Sequence, residues 1–385
     1  GQRLVLVTNG VYDTGGKVMQ GILTNRVLLP QGVVVKSVNG PSVTFIVGAE
    51  APGGGNGNGA VRCAFLDTNA ILSGFTLTNG HTRANTTDEC IAGGAFCRQG
   101  SIISNCVLIS NSSSLYGGGV VRGTLYNCIL TGNSSLDRGG GTYYCMLYNC
   151  TVTGNSSIAG GTYEGTNYNC IIYYNFSTRS NYSDYCNYAG SATYYSCTTP
   201  LPPGEGNITN EPMFVDLALG DLRLQPNSPC INSGNNLYVK TEVDSDGKPR
   251  IYGGAVDIGA YEFQSASSLI SYAWLQNYGL PIDGSADYLD SDGDGLNNFA
   301  EWRCGTNPTN QMSVFRLLDS QNIDDFLILS WAGVSGRSYR IEYSTNLFAT
   351  PAFYPLATNI IGINGTMTYT NTALISPAFY RIGVE

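Results

Sequence analysis

Asn-Cys recurs at Asn105-Cys106, Asn127-Cys128, Asn149-Cys150 and Asn169-Cys170, in steps of 22, 22 and 20 residues. A fixed period of this size implies stacked units, each burying its apolar face against the next. Tyr126, Tyr148 and Tyr168 precede three of the pairs. Asn111, Asn133, Asn155 and Asn175 follow the cysteines by five residues, the first three opening an Asn-Ser-Ser. Glycines keep the same phase at 117–119, 139–141 and 160–161.

Within a unit, Cys150-Thr151-Val152-Thr153 alternates like a strand, so Thr151 and Thr153 are expected to face water and Cys150 and Val152 the interior. Register places Cys106/Leu108, Cys128/Leu130 and Cys170/Ile172 inside with them. Short strands joined by Gly/Asn corners form one turn of a parallel β-helix, whose equivalent residues stack ~4.8 Å apart. Asparagine suits the corners because it tolerates the left-handed backbone and can bond to its copies above and below. That spacing is slightly long for rung-to-rung disulfides, so the cysteine ladder is expected to hold free buried thiols. A disulfide between Cys186 and Cys197 is expected instead, in a Tyr/Ser-rich segment. Upstream, 33–38, 43–47 and 71–79 look like degenerate windings of a coil that begins at once, while 53–59 and 181–206 are expected to project as loops.

Charged residues make up only 12% of the chain, with Gly at 49 and Tyr at 26, a balance that favours strands and turns over helices. Four lysines and scattered arginines give no basic face for nucleic acid. No apolar run reaches the ~18 residues of a membrane span, and Gly1 reads as the start of a processed chain. Among twelve cysteines none has Cys-x-x-Cys spacing, and His81 is the only histidine, so zinc is excluded.

The opening residues 4–12, the phrase 38–44 and the Tyr-Asn-Cys windings resemble secreted right-handed β-helix repeat proteins of the Verrucomicrobia and Lentisphaerae type. Residues 222–229, 244–250 and 253–262 resemble the closing segment of such helices in choice-of-anchor proteins. The resemblance implies a bacterial protein that is extracellular or at the cell surface, and names an architecture rather than an activity. It also implies that relatives begin earlier, which would leave the lower end of the coil uncapped.

Downstream, 268–279 has the apolar spacing of a short helix, and Asp290, Asp292, Asp294, Gly295, Leu296, Asn298 and Glu301 fit a calcium loop, with oxygen ligands at positions 1, 3, 5, 7, 9 and 12 and glycine at 6. Hard oxygen donors packed this closely would repel one another without a dication. The expected cofactor is a structural Ca2+ held by Asp290, Asp292, Asp294, the Leu296 carbonyl, Asn298 directly or through water, and Glu301. The loop resembles dockerin and thrombospondin type 3 repeats and is expected to clamp domains together. Beyond Pro308, two-residue alternation in 326–331, 339–343, 367–370 and 379–384 predicts an antiparallel sandwich. The expected fold is therefore all-β: a right-handed parallel β-helix over 1–263, a helix and calcium loop over 264–310, and a small β-sandwich over 311–385.

No catalytic constellation emerges. Asp137/Arg138 reads as a solvated turn, and Asp67, Asp88 and Glu89 near His81 as loop polarity. Asp244 and Asp246 read as turn residues, with a second calcium site as the alternative. Of nine Asn-x-Ser/Thr sequons, among them Asn85, Asn111, Asn133, Asn155, Asn181 and Asn207, those in the repeats read as turn asparagines. The expected role is a non-catalytic structural or adhesive solenoid, extended into a head-to-tail filament by other copies of itself. The alternatives are a polysaccharide lyase or glycosidase, and a glycan-binding protein using Tyr143, Tyr144, Tyr173 and Tyr174.

Overall fold

The computed structural model describes residues 3–19, 21–84, 88–181, 186–323, 326–371 and 378–385. The chain divides into two compact units, one of residues 1–266 with 271–273 and one of 267–270 with 274–385. The Asn85 sequon lies outside the described residues.

The first unit is a parallel β-helix. Its windings contribute one strand each to long parallel sheets: Ile71–Ser73, Ile102–Ser104, Thr124–Tyr126, Met146–Tyr148, Thr166–Tyr168 and Ala192–Tyr194 in one, and Thr76–Thr78, Val107–Ile109, Ile129–Thr131, Thr151–Thr153, Ile171–Tyr173 and Cys197–Thr198 in the next. A third sheet carries Val61–Leu66, Ala95–Cys97, Val120–Val121, Thr142–Tyr143, Thr162–Tyr163 and Tyr188–Ala189. Like stacks on like. Leu77, Leu108, Leu130, Val152 and Ile172 form one fully buried row, and Leu72, Ile103, Leu125 and Leu147 another. Arg3–Val7 pairs in parallel with Val33–Ser37, so winding does begin at the first described residues.

Phe75, Cys106, Cys128, Cys150 and Cys170 occupy equivalent interior corners, and the row ends at Ser196, whose Oγ accepts the Cys170 N–H at 2.9 Å. The four thiols are free, and burial pushes Cys106 up to about 12, which leaves it a protonated core residue. The asparagines divide into two classes. Asn105, Asn127, Asn149 and Asn169 sit at corners with φ between 49 and 54°. Asn111, Asn133 and Asn155 instead point inward, and their Nδ2 groups donate at 2.9 Å to Oδ1 of Asn133, Asn155 and Asn175 respectively. Each Nδ2 also donates to the Leu77, Leu108 or Leu130 carbonyl, so every donor has an acceptor. These sequon asparagines are buried ladder residues and present no amide to solvent. The in-phase glycines follow from crowding: a Cβ on Gly118 would lie 2.3 Å from the Ser134 carbonyl oxygen, and one on Gly140 2.5 Å from that of Ser156.

Three expectations are corrected. Residues 188–198 form another winding, with Ala192 paired to Thr166 and Cys197 to Ile171, so 181–206 is not simply a projecting loop. The longer step between windings, 26 residues against 22, hides that register. Cys197 is a free buried thiol, so no disulfide joins it to Cys186. Thr151 and Thr153 are buried rather than solvated, because a closing segment lies back across this face and the Ala260 N–H donates to Thr151 Oγ1 at 3.0 Å. The same segment meets the corner asparagines: Asn127 donates to Thr241 Oγ1 and Asn169 to the Asn235 carbonyl. The upper strand edge is also taken, since Thr198 N donates to Ile208 O and Ile208 N to Ser196 O, both at 2.9 Å.

Helices run over Tyr272–Asn277, whose first two residues belong to the first unit, and over Asn298–Cys304 in the second. The first is shorter than its apolar spacing suggests, because the Leu269 N–H donates to the Asp287 carboxylate and the Ile270 N–H to Ser268 Oγ instead of entering a helix. Two three-stranded antiparallel sheets follow, Leu317–Ile323, Phe326–Gly333 and Gly365–Asn371 in one, Tyr354–Ile361, Ser338–Ser344 and Phe379–Val384 in the other. Alternation in Phe326–Gly333 turns Leu327, Leu329 and Trp331 onto Tyr339 and Ile341 between the sheets.

Candidate functional site

The acidic loop is built by turn chemistry and left with oxygens to spare. Asp290 Oδ1 accepts the Gly293 N–H at 2.7 Å, Asp290 Oδ2 that of Gly295 at 2.9 Å, and Asp294 Oδ1 that of Leu296 at 2.8 Å. Gly295, with φ 98°, makes the sharp turn a side chain would resist. Asn297 then caps the helix through the Ala300 N–H, which brings Asn298 and Glu301 under the loop. One carboxylate oxygen from each of Asp290, Asp292 and Asp294 lies within 4.8 Å of the others. Asn298 and Glu301 are completely buried. Asn298 Oδ1, Glu301 Oε2, Asp292 Oδ2 and Asp294 Oδ2 are buried without a hydrogen-bond partner. Glu301 is pushed up to about 7, first by burial and then by the charges of Asp292, Asp294 and Asp290. A donor set of oxygens only, with several carboxylates, suits a hard dication and not a thiophilic metal.

Several of the other acids singled out by the sequence are engaged. Asp137 and Arg138 form a 3.6 Å pair, both substantially exposed. Asp67 pairs with Arg98 at 3.1 Å, Glu89 with Arg83 at 3.3 Å, and His81 lies 3.8 Å from Glu50. Asp246 takes Arg223 in a fork at 2.7 and 2.8 Å, which leaves it poorly placed for a second metal. Asp244 Oδ1 accepts the N–H groups of Asp246 and Lys248, as turn chemistry requires.

Sequence reasoning missed a buried cluster in the closing segment. Arg250 donates to the carbonyls of Asp257, Gly259 and Ala260, and lies 3.5 Å from Glu262. Asp244, Asp257 and Glu262 share this one guanidinium and accept backbone N–H groups from one another's loops, including Asp257 N to Glu262 and Glu262 N to Asp244. Burial pushes Asp257 up to about 7 and Glu262 up to about 9. The one signal for it was an arginine opening an otherwise apolar and glycine-rich stretch, 250–256.

Tyrosines make two outward ladders. Tyr148, Tyr168 and Tyr194 stack at 5.1 and 5.4 Å, and the closing segment covers them: Tyr238 stacks on Tyr168 at 4.2 Å and Lys240 Nζ lies 5.6 Å from the Tyr148 ring. Tyr143 and Tyr163 of the third sheet stack at 5.7 Å, with Tyr116 from the segment before that sheet on Tyr143 at 4.6 Å and the Arg138 guanidinium 5.0 Å over the Tyr163 ring; the three tyrosines remain partly exposed. Tyr144 packs edge-on against Tyr143 and is 52% exposed. Tyr173 and Tyr174 are committed elsewhere, to the Thr209 carbonyl and toward Phe214. Neither a protein-family model nor a curated protein matches this chain.

Proposed function

We propose that this chain is a non-catalytic adhesive β-solenoid working outside the cell or at its surface, with extracellular glycan as the partner and structural calcium in the acidic loop. The observation that carries the reading is the partly exposed Tyr116–Tyr143–Tyr163 ladder, capped at the Tyr163 ring by the Arg138 guanidinium. On the neighbouring sheet the same arrangement serves as a docking surface for the chain's own closing segment. Rings of this kind offer flat apolar area with a hydroxyl at the rim, at little cost in side-chain entropy. End-to-end growth by strand pairing would need open edges at both ends, and at the upper end the Cys197–Thr198 strand is already paired with Ile208, so adhesion is the better-supported form of the structural role.

Calcium follows from the four unpartnered buried oxygens, whose desolvation a dication would offset. Calorimetric titration with Ca2+ and Mg2+ tests it: selective calcium binding is expected, and absence of heat with either ion would remove the cofactor from the proposal. Adhesion is tested by co-sedimentation of the full chain with insoluble polysaccharides, alongside assays for unsaturated or reducing ends. Retention without product is expected. Release of product would establish a lyase or glycosidase in its place, and failure to co-sediment with any polysaccharide would end the adhesive reading.

A further inference from the structure

The corner preceding the first sheet holds Gly32, Asn69, Gly100, Arg122, Tyr144, Glu164 and Gly190 in successive windings, all with left-handed φ of 47 to 74°. Glycine and asparagine adopt this backbone at little cost, whereas a bulky side chain is strained there. The coil itself does not require the strain, since glycine serves the same corner above and below. Large side chains are nevertheless placed at three consecutive windings. Local strain of this kind, kept where a relaxed residue would fold as well, points to a task for the side chain.

What the strained residues build is a depression of about 410 Å³ beside the partly exposed ladder, lined by Tyr144, Met146, Glu164, Gly165, Thr166 and Gly190. Its floor is glycine for a steric reason: a Cβ on Gly165 would lie 2.2 Å from the Cys145 carbonyl oxygen, and one on Gly190 3.1 Å from Glu164 Cγ. The Tyr144 hydroxyl bonds to the Glu164 carboxylate, so an aromatic wall and a carboxylate are held together over the glycine floor, with the Thr166 hydroxyl beside them. Arg122, one winding below, leans away over the Phe96 ring at 5.8 Å, so the lining carries an acid and no base.

We propose that this corner is a subsite for a single neutral pyranose ring, with the Tyr144 ring against the sugar's C–H face and the Glu164 carboxylate accepting its hydroxyls. The proposal rests on the adhesive reading and names its ligand class. Polar groups few in number and fixed in place give such a pocket its orientation, while the Glu164 carboxylate and a net charge of -9 oppose an acidic sugar.

The test uses the full chain, calcium present, titrated with neutral oligosaccharides of glucose, mannose and xylose and with an oligogalacturonate. Tyr144→Asn and Glu164→Gln are the variants, the first chosen because asparagine already serves this corner at Asn69. A neutral oligosaccharide is expected to bind, each variant is expected to weaken it by about tenfold or more, and the melting temperature of Tyr144→Asn is expected to hold or rise. If wild type binds neutral sugars and both variants bind within about twofold of it, the subsite is wrong while the adhesive reading stands. Binding of the oligogalacturonate alone, or of no neutral sugar, also overturns the subsite; co-sedimentation with polysaccharide then decides the adhesive reading separately.

Discussion

The interior of the coil and the acidic loop bury polar atoms in opposite ways. In the coil, each asparagine amide finds its partners in the winding above and in a carbonyl of the winding below, so repetition itself satisfies the donors. In the loop, Asn298 and Glu301 are just as buried, yet an oxygen of each has no partner. A repeated polar group carries its own complement. A polar group that occurs once must find it in an outside ion, a proton or water, and only such sites respond to the medium.

Breaking the ladder should have the largest effect. Asn133→Ala leaves Asn111 N, one of the two N–H groups of Asn111 Nδ2 and the Leu108 carbonyl without their acceptor or donor. At ~1–3 kcal/mol for each orphaned group, a loss of roughly 3–5 kcal/mol is expected, read as a fall of about 10 °C in the melting of the coil. A loss below ~1 kcal/mol would show that the ladder is decorative.

Removing calcium should come next, and its sign can be reversed. Saturating calcium is expected to stabilise the second unit by ~3–4 kcal/mol at a few hundred times its dissociation constant. Chelation removes that and leaves Glu301 favouring its proton, since it is raised to about 7. Glu301→Gln imitates the protonated side chain, so the variant should melt above wild type in chelator and below it in calcium. Parallel behaviour of the two proteins in both buffers would count against a metal-ligating Glu301.

Much of this contrast was legible before the structure. The 22-residue phase of Asn127, Cys128 and Asn133 locates windings, interior rows and corners, because a solenoid converts sequence period directly into spatial neighbourhood. The spacing of Asp290, Asp292, Asp294 and Glu301 likewise reports a local loop. Period says nothing, however, about what folds back over the outside. Thr151 alternates as a solvated residue should, and is buried because Ala260, 109 positions later, lies on it. The Arg250 cluster and the Tyr144–Glu164 depression escaped notice for the same reason: their partners are set by tertiary return or by stacking of unlike residues.

That buried cluster gives a third, smaller effect. Asp257 and Glu262 rise to about 7 and about 9 in the folded protein, chiefly through burial, although Arg250 opposes the rise. The guanidinium at 3.5 Å would hold one carboxylate charged, but three share it, so the net direction is upward. Their unfolded values lie near ~4, so the folded chain retains protons the unfolded chain has released. The stabilisation is therefore complete below ~4, declines as pH rises, and is lost through 7 to 9. In saturating calcium, which keeps Glu301 out of the titration, the coil should lose ~2 kcal/mol between mildly acidic and mildly alkaline buffer. Glu262→Gln should flatten the curve; an equally steep curve in the variant would place the titration elsewhere.

The smallest effect concerns the thiols, and it separates packing from polarity within the coil. Cys128 occupies a position equivalent to Asn-ladder residues in its regularity but is surrounded by apolar side chains, and its Sγ donates weakly to the Ile103 and Tyr126 carbonyls at 3.5 and 3.3 Å. A buried thiol behaves as a small hydrophobe, so its loss forfeits volume and leaves no strongly polar group stranded. Cys128→Ala should cost ~1 kcal/mol, several times less than Asn133→Ala a few residues along the same winding. Burial raises the Cys106, Cys128 and Cys170 thiols, while Cys150, against its own burial, is drawn down by hydrogen bonds from Cys128 and Cys170; all four are sealed from solvent, so a water-soluble alkylating reagent should label them only at the rate of unfolding. Rapid labelling of the native protein would mean that the windings open locally, and the ladder of amides beside them could not then be as tight as its geometry requires.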